Sequence, residues 1–119
     1  MSQQYVEVEL GGSTRQLRFD FNAICDIEEK FGKGVAAIFS EEQIGFNLVR
    51  LFYWAGLKWR DRGLTVERVG QMLYKEIEAG QNLNDLLQPI MKALKQSRVL
   101  GEMKEASGDE GNGQSGTVE

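Results

Sequence analysis

The 119-residue chain contains no histidine, one cysteine and one proline. Without histidine there is no Ser-His-Asp or Cys-His nucleophile, no imidazole-bound zinc and no imidazole proton shuttle. One cysteine cannot close a disulfide within the chain, and a lone thiol suits a reducing compartment. No apolar run is long enough to span a bilayer. The most apolar stretch, Ile44–Leu57, has ten apolar residues in 14 and contains Arg50, against the roughly 20 that a span requires. The N-terminus lacks the basic start and apolar core of a signal peptide. These features lead to the expectation of a cytoplasmic protein.

The length fits one domain. The net charge is −4, which at first argues against nucleic acid as a partner. Its distribution is more informative. Residues 1–100 carry 13 basic and 13 acidic side chains, whereas residues 101–119 carry one lysine and five acids. That last segment holds five glycines and no aromatic residue. It cannot bury enough apolar surface to offset its ordering entropy. We therefore expect a neutral domain over residues 1–100 and a disordered acidic tail over residues 101–119.

Val6, Val8 and Leu10 alternate with Tyr5, Glu7 and Glu9, the period of a half-buried strand. Gly11-Gly12-Ser13-Thr14 marks a turn, and Leu17 and Phe19 continue in phase beyond it. A four-residue loop would place Val8 opposite Leu17, Val6 opposite Phe19 and Glu7 opposite Arg18. A two-residue Gly-Gly turn would instead place Val8 opposite Arg15. Apolar pairing favours the four-residue loop.

Helical periodicity begins after Asp20, with Asp20 or Asn22 as cap, an inward stripe of Ala23, Ile24, Ile27 and Phe31, and Gly32 as the stop. Val35–Phe39 reads as one or two helical turns. Ser40-Glu41-Glu42-Gln43 reads as a capping box opening a helix through Ile44, Leu48, Leu51 and Ala55. Thr65 caps the next helix, whose stripe is Val66, Val69, Met72, Leu73 and Ile77. The last starts near Asn82–Asn84 and carries Leu86, Leu87, Ile90, Met91 and Leu94. Pro89 should kink or split it. The expected fold is α+β: an N-terminal β-hairpin packed on a bundle of four to five helices.

Little in this pattern points to chemistry. Cys25 reads as a small buried hydrophobe beside Ile24. Asp26 and Glu29 share a helix face at i, i+3, but that face is opposite the apolar stripe and reads as solvated. No phosphate loop, dinucleotide fingerprint or calcium loop is present. Neither a metal nor a cofactor is expected, and no enzymatic activity. Lys58-Trp59-Arg60-Asp61-Arg62 is the one basic stretch with an aromatic in it, a weak basis for nucleic-acid binding. The helix Ile44–Leu57 stands out because it is apolar nearly all round. A central, covered helix explains most of it. A small domain has limited cover, so Phe46, Tyr53, Trp54 and Trp59 are the candidate protein-interaction residues.

The blocks Tyr5–Leu10, the glycine turn, and Leu17-Arg-Phe-Asp-Phe-Asn-Ala-Ile-Cys-Asp-Ile-Glu-Glu29 together resemble the start of the phage tail assembly chaperone family, which includes gene transfer agent members. Tyr53-Trp-Ala-Gly-Leu57 and Gly63-Leu-Thr-Val-Glu-Arg-Val-Gly70 fit its later pattern, so the resemblance covers about residues 5–80. It implies a small non-catalytic protein that binds the tape-measure protein and tail-tube subunits during tail assembly and is absent from the mature virion. A structural virion protein, of the tail tube or head–tail connector, is the alternative, and a nucleic-acid-binding phage regulator a more distant one. Self-association is left open, and neither a membrane nor a small-molecule substrate is implied.

Overall fold

The computed structural model describes residues 5–41 and 44–98. The expected tail, residues 101–119, lies outside them. Two strands, β1 (Val6–Leu10) and β2 (Ser13–Leu17), precede five helices: α1 (Phe21–Phe31), α2 (Val35–Glu41), α3 (Phe46–Leu57), α4 (Val66–Glu78) and α5 (Leu83–Ser97). The fold is the expected α+β arrangement, a hairpin on a helical bundle.

The hairpin register departs from the four-residue loop. Val8 pairs with Arg15, Val6 with Leu17 and Leu10 with Ser13, so the turn is Gly11-Gly12 alone. Backbone geometry decides this. Gly11 and Gly12 have φ of 64° and 80°, the two positive values that a tight turn matching the strand twist requires and that glycine alone adopts freely. Arg15 tolerates its place opposite Val8 because its Nε donates to the Leu10 carbonyl at 2.8 Å and its Nη1 to Asp61 at 3.0 Å. Phe19 lies beyond the ladder, which ends at the Val6–Leu17 pair. The Arg18 N–H donates to the Gly56 carbonyl at 2.8 Å, which turns the chain onto α3.

That crossing places Phe19 in the core, edge-on to Phe52 at 5.8 Å between ring centres. Gly56 permits the approach: a Cβ there would lie 2.6 Å from Leu17 Cδ1 and 3.0 Å from Phe19 Cε1. α3 is the centre of the fold, packed by α1, α4, α5 and β2. Leu48, Val49, Phe52, Ala55 and Leu57 are all buried. Its apolar character on nearly every side follows from having neighbours on nearly every side.

Local signals set most helix ends. The Asp20 carboxylate accepts from the Ala23 N–H at 2.8 Å, and Gly32 ends α1 at φ 76°. Thr65 accepts from the Arg68 N–H at 3.1 Å. Asn82 and Asp85 form a reciprocal capping box at 2.9 and 3.0 Å. Three expectations fail. Ser40 does not open α3; it lies within α2, because the buried side of that helix, Val35 and Ile38 with Phe39 packed beside them, draws the helix on through Ser40. α3 starts later, at Phe46, behind Gly45. Pro89 does not split α5, which runs unbroken from Leu83 to Ser97. The carbonyl deprived of its donor belongs to Asp85, an exposed residue that water can serve. Cys25 is exposed rather than buried. One residue past Ile24 is a turn of about 100° around the helix, which takes it off the inward face of Ala23, Ile24 and Ile27.

Candidate functional site

The four candidate aromatics fall into three different surroundings. Tyr53 is a core residue, 2% exposed. Its hydroxyl donates to the Leu86 carbonyl at 2.7 Å and ties α3 to α5. Burial, and secondarily the negative charge of Glu76, push its phenol well above the ordinary range. It offers nothing to a partner.

Trp54 and Trp59 are half-buried, and both indoles are engaged. Trp54 Nε1 donates to the Leu64 carbonyl at 3.1 Å, and Trp59 Nε1 to the Gln16 carbonyl at 3.0 Å. Cations lie over both rings. Lys58 and Lys30 Nζ are 5.1 and 5.5 Å from the Trp54 ring centre. The Arg18 and Arg60 guanidinium carbons are 5.0 and 5.6 Å from that of Trp59. Tyr5 adds a tilted ring contact to Trp59 at 6.3 Å. Lys58 also forms an ion pair with Asp26.

Phe46 is open to solvent. It is the first residue of α3 and is 58% exposed. Facing it on α4 is Tyr74, 62% exposed. Between them runs a groove of roughly 360 Å³ whose walls include Phe46, Arg50, Gly70, Leu73, Tyr74 and Ile77. Arg50 is held along one side, where its Nη2 donates to Asn47 Oδ1 at 3.1 Å. At Gly70 a Cβ would come within 3.2 Å of Arg50 Cδ, so the bare backbone lets the arginine stem lie across α4. Ile44, also exposed, immediately precedes this end of α3.

Tyr74 is absent from the residues singled out by sequence. It borders the inward stripe of α4, one residue after Leu73 and three before Ile77. The available signal is that an aromatic one step outside a well-formed stripe widens the apolar face without entering the core. Phe21, 78% exposed at the start of α1, is a separate exposed aromatic.

Among the described residues no three or more acidic or thiol side chains gather as a metal site, and no helix is long and apolar enough to cross a membrane. The surface offers two kinds of contact: an open apolar groove between α3 and α4, and an arginine-decked indole beside the hairpin. Comparison of the chain with protein-family models, with curated proteins and with solved structures finds no match.

Proposed function

We propose that the protein is a non-catalytic tail assembly chaperone of a phage, prophage or gene transfer agent, and that the groove between α3 and α4 receives an amphipathic helix of the tape-measure protein. The observation that carries this reading is the pair Phe46 and Tyr74, both mostly exposed, flanking an apolar floor of Leu73 and Ile77. Exposed aromatic side chains beside a packed apolar floor are the usual means by which a helical protein accepts a partner helix. The sequence blocks within residues 5–80 support the choice of family.

The mechanism is reversible cover without bond chemistry. A tape-measure protein is long, helical and apolar, and it needs its apolar faces shielded until tail-tube subunits surround it. A shallow groove with few directional hydrogen bonds suits this, because it accepts many similar helices in succession and releases each one. Tail-tube subunits are the second partner. The protein acts in the host cytoplasm and is left out of the finished particle.

Co-expression with the tape-measure protein of the same gene cluster tests the reading. The tape-measure protein should be soluble and co-purify when this chain is present, and aggregate when it is absent. Equal solubility in both cases, with no co-purification, contradicts it. Mass spectrometry of purified particles separates a chaperone from a virion component, which would be present in many copies.

A further inference from the structure

The cluster around Trp59 holds cations that no carboxylate among the described residues pairs with. Two acids near it are already committed: Asp26 to Lys58, and Asp61 to Arg15 at 3.0 Å. A third, Asp20, caps α1 through Oδ1 at 2.8 Å. Glu7 lies on the same hairpin face, opposite Gln16, and makes no ion pair with Arg18. Among the described residues Arg18, Arg60 and Arg62 have no carboxylate within ion-pair distance. Arg62 shares a hollow of roughly 380 Å³ with Lys58, Trp59 and the capping Asp20.

Arg18 and Arg60 keep their donors for a ligand. A guanidinium held near an indole at 5.0 or 5.6 Å by cation–π attraction spends no hydrogen bond on the ring, so its N–H groups can still grip a carboxylate. The Trp59 ring is itself fixed by its bond to the Gln16 carbonyl, so the arginines rest on a rigid plate. Fewer rotamers are lost when an anion arrives, which strengthens an otherwise weak surface contact.

The anion that matches is in the same chain. The entire net charge of −4 lies within residues 101–119, as Glu102, Glu105, Asp109, Glu110 and Glu119 against Lys104. Twenty-one residues follow Arg98. A coil of that length spans about 25 Å on average and about 70 Å when fully extended, enough to reach across a domain of this size. Tethering supplies an effective concentration of about a millimolar, at which weak contacts suffice.

We infer that the acidic segment 101–119 docks in cis on the arginine-decked face of Trp59, where Arg18, Arg60 and Arg62 take its carboxylates. This is independent of the chaperone reading, since the patch is made by the hairpin and the end of α3 rather than by the α3–α4 groove. Docking is set by salt and is displaced by any stronger polyanion.

The test is nuclear magnetic resonance of the full chain. The Trp59 indole N–H signal is followed from about 20 mM to about 500 mM salt, a range over which exposed ion pairs are progressively screened. A second protein carries Glu102→Gln, Glu105→Gln, Asp109→Asn and Glu110→Gln. We expect the wild-type Trp59 signal to move with salt and the neutralised variant to sit at the high-salt position throughout. Arg18→Gln with Arg60→Gln should abolish the shifts of the segment's own amides. A synthetic peptide of residues 101–119 added to the neutralised variant at millimolar concentration should restore the wild-type position. The Trp54 indole serves as a fold control. The proposal is overturned if the wild-type signal does not respond to salt, or if the neutralised variant responds equally. It is also overturned if a short single-stranded oligonucleotide moves the signal and the peptide does not, which would assign the patch to nucleic acid.

Discussion

At its first turn α3 presents Phe46 to solvent, beside Tyr74 and over an apolar floor. At its last turn and just beyond, Trp54 and Trp59 are each pinned by an indole hydrogen bond and roofed by cations. Both ends are rich in aromatic residues, yet the forces that each offers a partner differ. The open end gains by removing apolar surface from water, which salt hardly weakens. The roofed end offers guanidinium groups to anions, an attraction that salt screens within about 10 Å at 0.1 M. On the proposed reading, one helix would support two contacts that respond differently to salt, because the buried middle of α3 holds both ends in place.

That middle sets the scale for every comparison between the ends. Phe52 is fully buried and touches the rings of Phe19 and Phe39 at 5.8 and 5.4 Å. Phe52→Ala should cost about 3–5 kcal/mol, read as a loss of urea midpoint, and should disable both ends together. A smaller loss, about 0.5–1.5 kcal/mol, is expected for Tyr53→Phe, which removes the hydroxyl's bond to the Leu86 carbonyl, a helical carbonyl that keeps its own turn's donor. The same residue predicts alkaline lability. The folded state keeps the phenol proton above the ordinary value of 10.0, where the unfolded state loses it. Stability from this source is therefore complete below pH 10 and falls as pH rises beyond it. Thermal melts at increasing pH above that point should drop less steeply for Tyr53→Phe than for the wild type.

At the roofed end, Arg60→Gln should cost about 0.5–1 kcal/mol, and the difference from wild type should shrink at high salt. The open end should show the smallest effect on the fold. Phe46→Ser should leave stability within about 0.5 kcal/mol while weakening partner binding by about tenfold or more. A melt that falls by several degrees for Phe46→Ser would mean that Phe46 is a packing residue and would erase the contrast between the two ends. Cys25→Ser should be neutral to the same degree. The thiol itself should react with a maleimide in the native state as readily as in denaturant, as an exposed cysteine does.

How far the sequence was legible depended on how local each determinant is. The cap Thr65 and the stop at Gly32 could be read directly, and the starts of α1 and α5 to within two residues (Asp20 or Asn22, and Asn82–Asn84), because a cap acts on backbone groups two or three residues away. The central place of α3 was also readable, because a helix apolar on nearly all sides needs neighbours on nearly all sides. The hairpin register follows turn handedness rather than apolar side-chain pairing. Two adjacent glycines satisfy the tight turn so well that Arg15 adjusts to it. Cys25 faces outward because a neighbour in sequence is not a neighbour on a helix face. Of the interaction candidates, Phe46 lies on the open surface and Tyr53 in the core. Nothing local announces that difference, since the carbonyl that holds Tyr53 belongs to Leu86, on another helix. The covers of Trp54 and Trp59 are equally remote, and the indole acceptor of Trp59 is Gln16, on the hairpin.

The central claim is that the open end of α3 is where a partner helix binds. It is tested most directly by pull-down of the co-expressed tape-measure protein with three proteins: wild type, the double variant Phe46→Ser with Tyr74→Ser, and Trp59→Leu. The double variant should fold normally and lose the tape-measure protein, while Trp59→Leu should retain it at both low and high salt. Retention by the double variant at wild-type yield, or loss with Trp59→Leu alone, would contradict it.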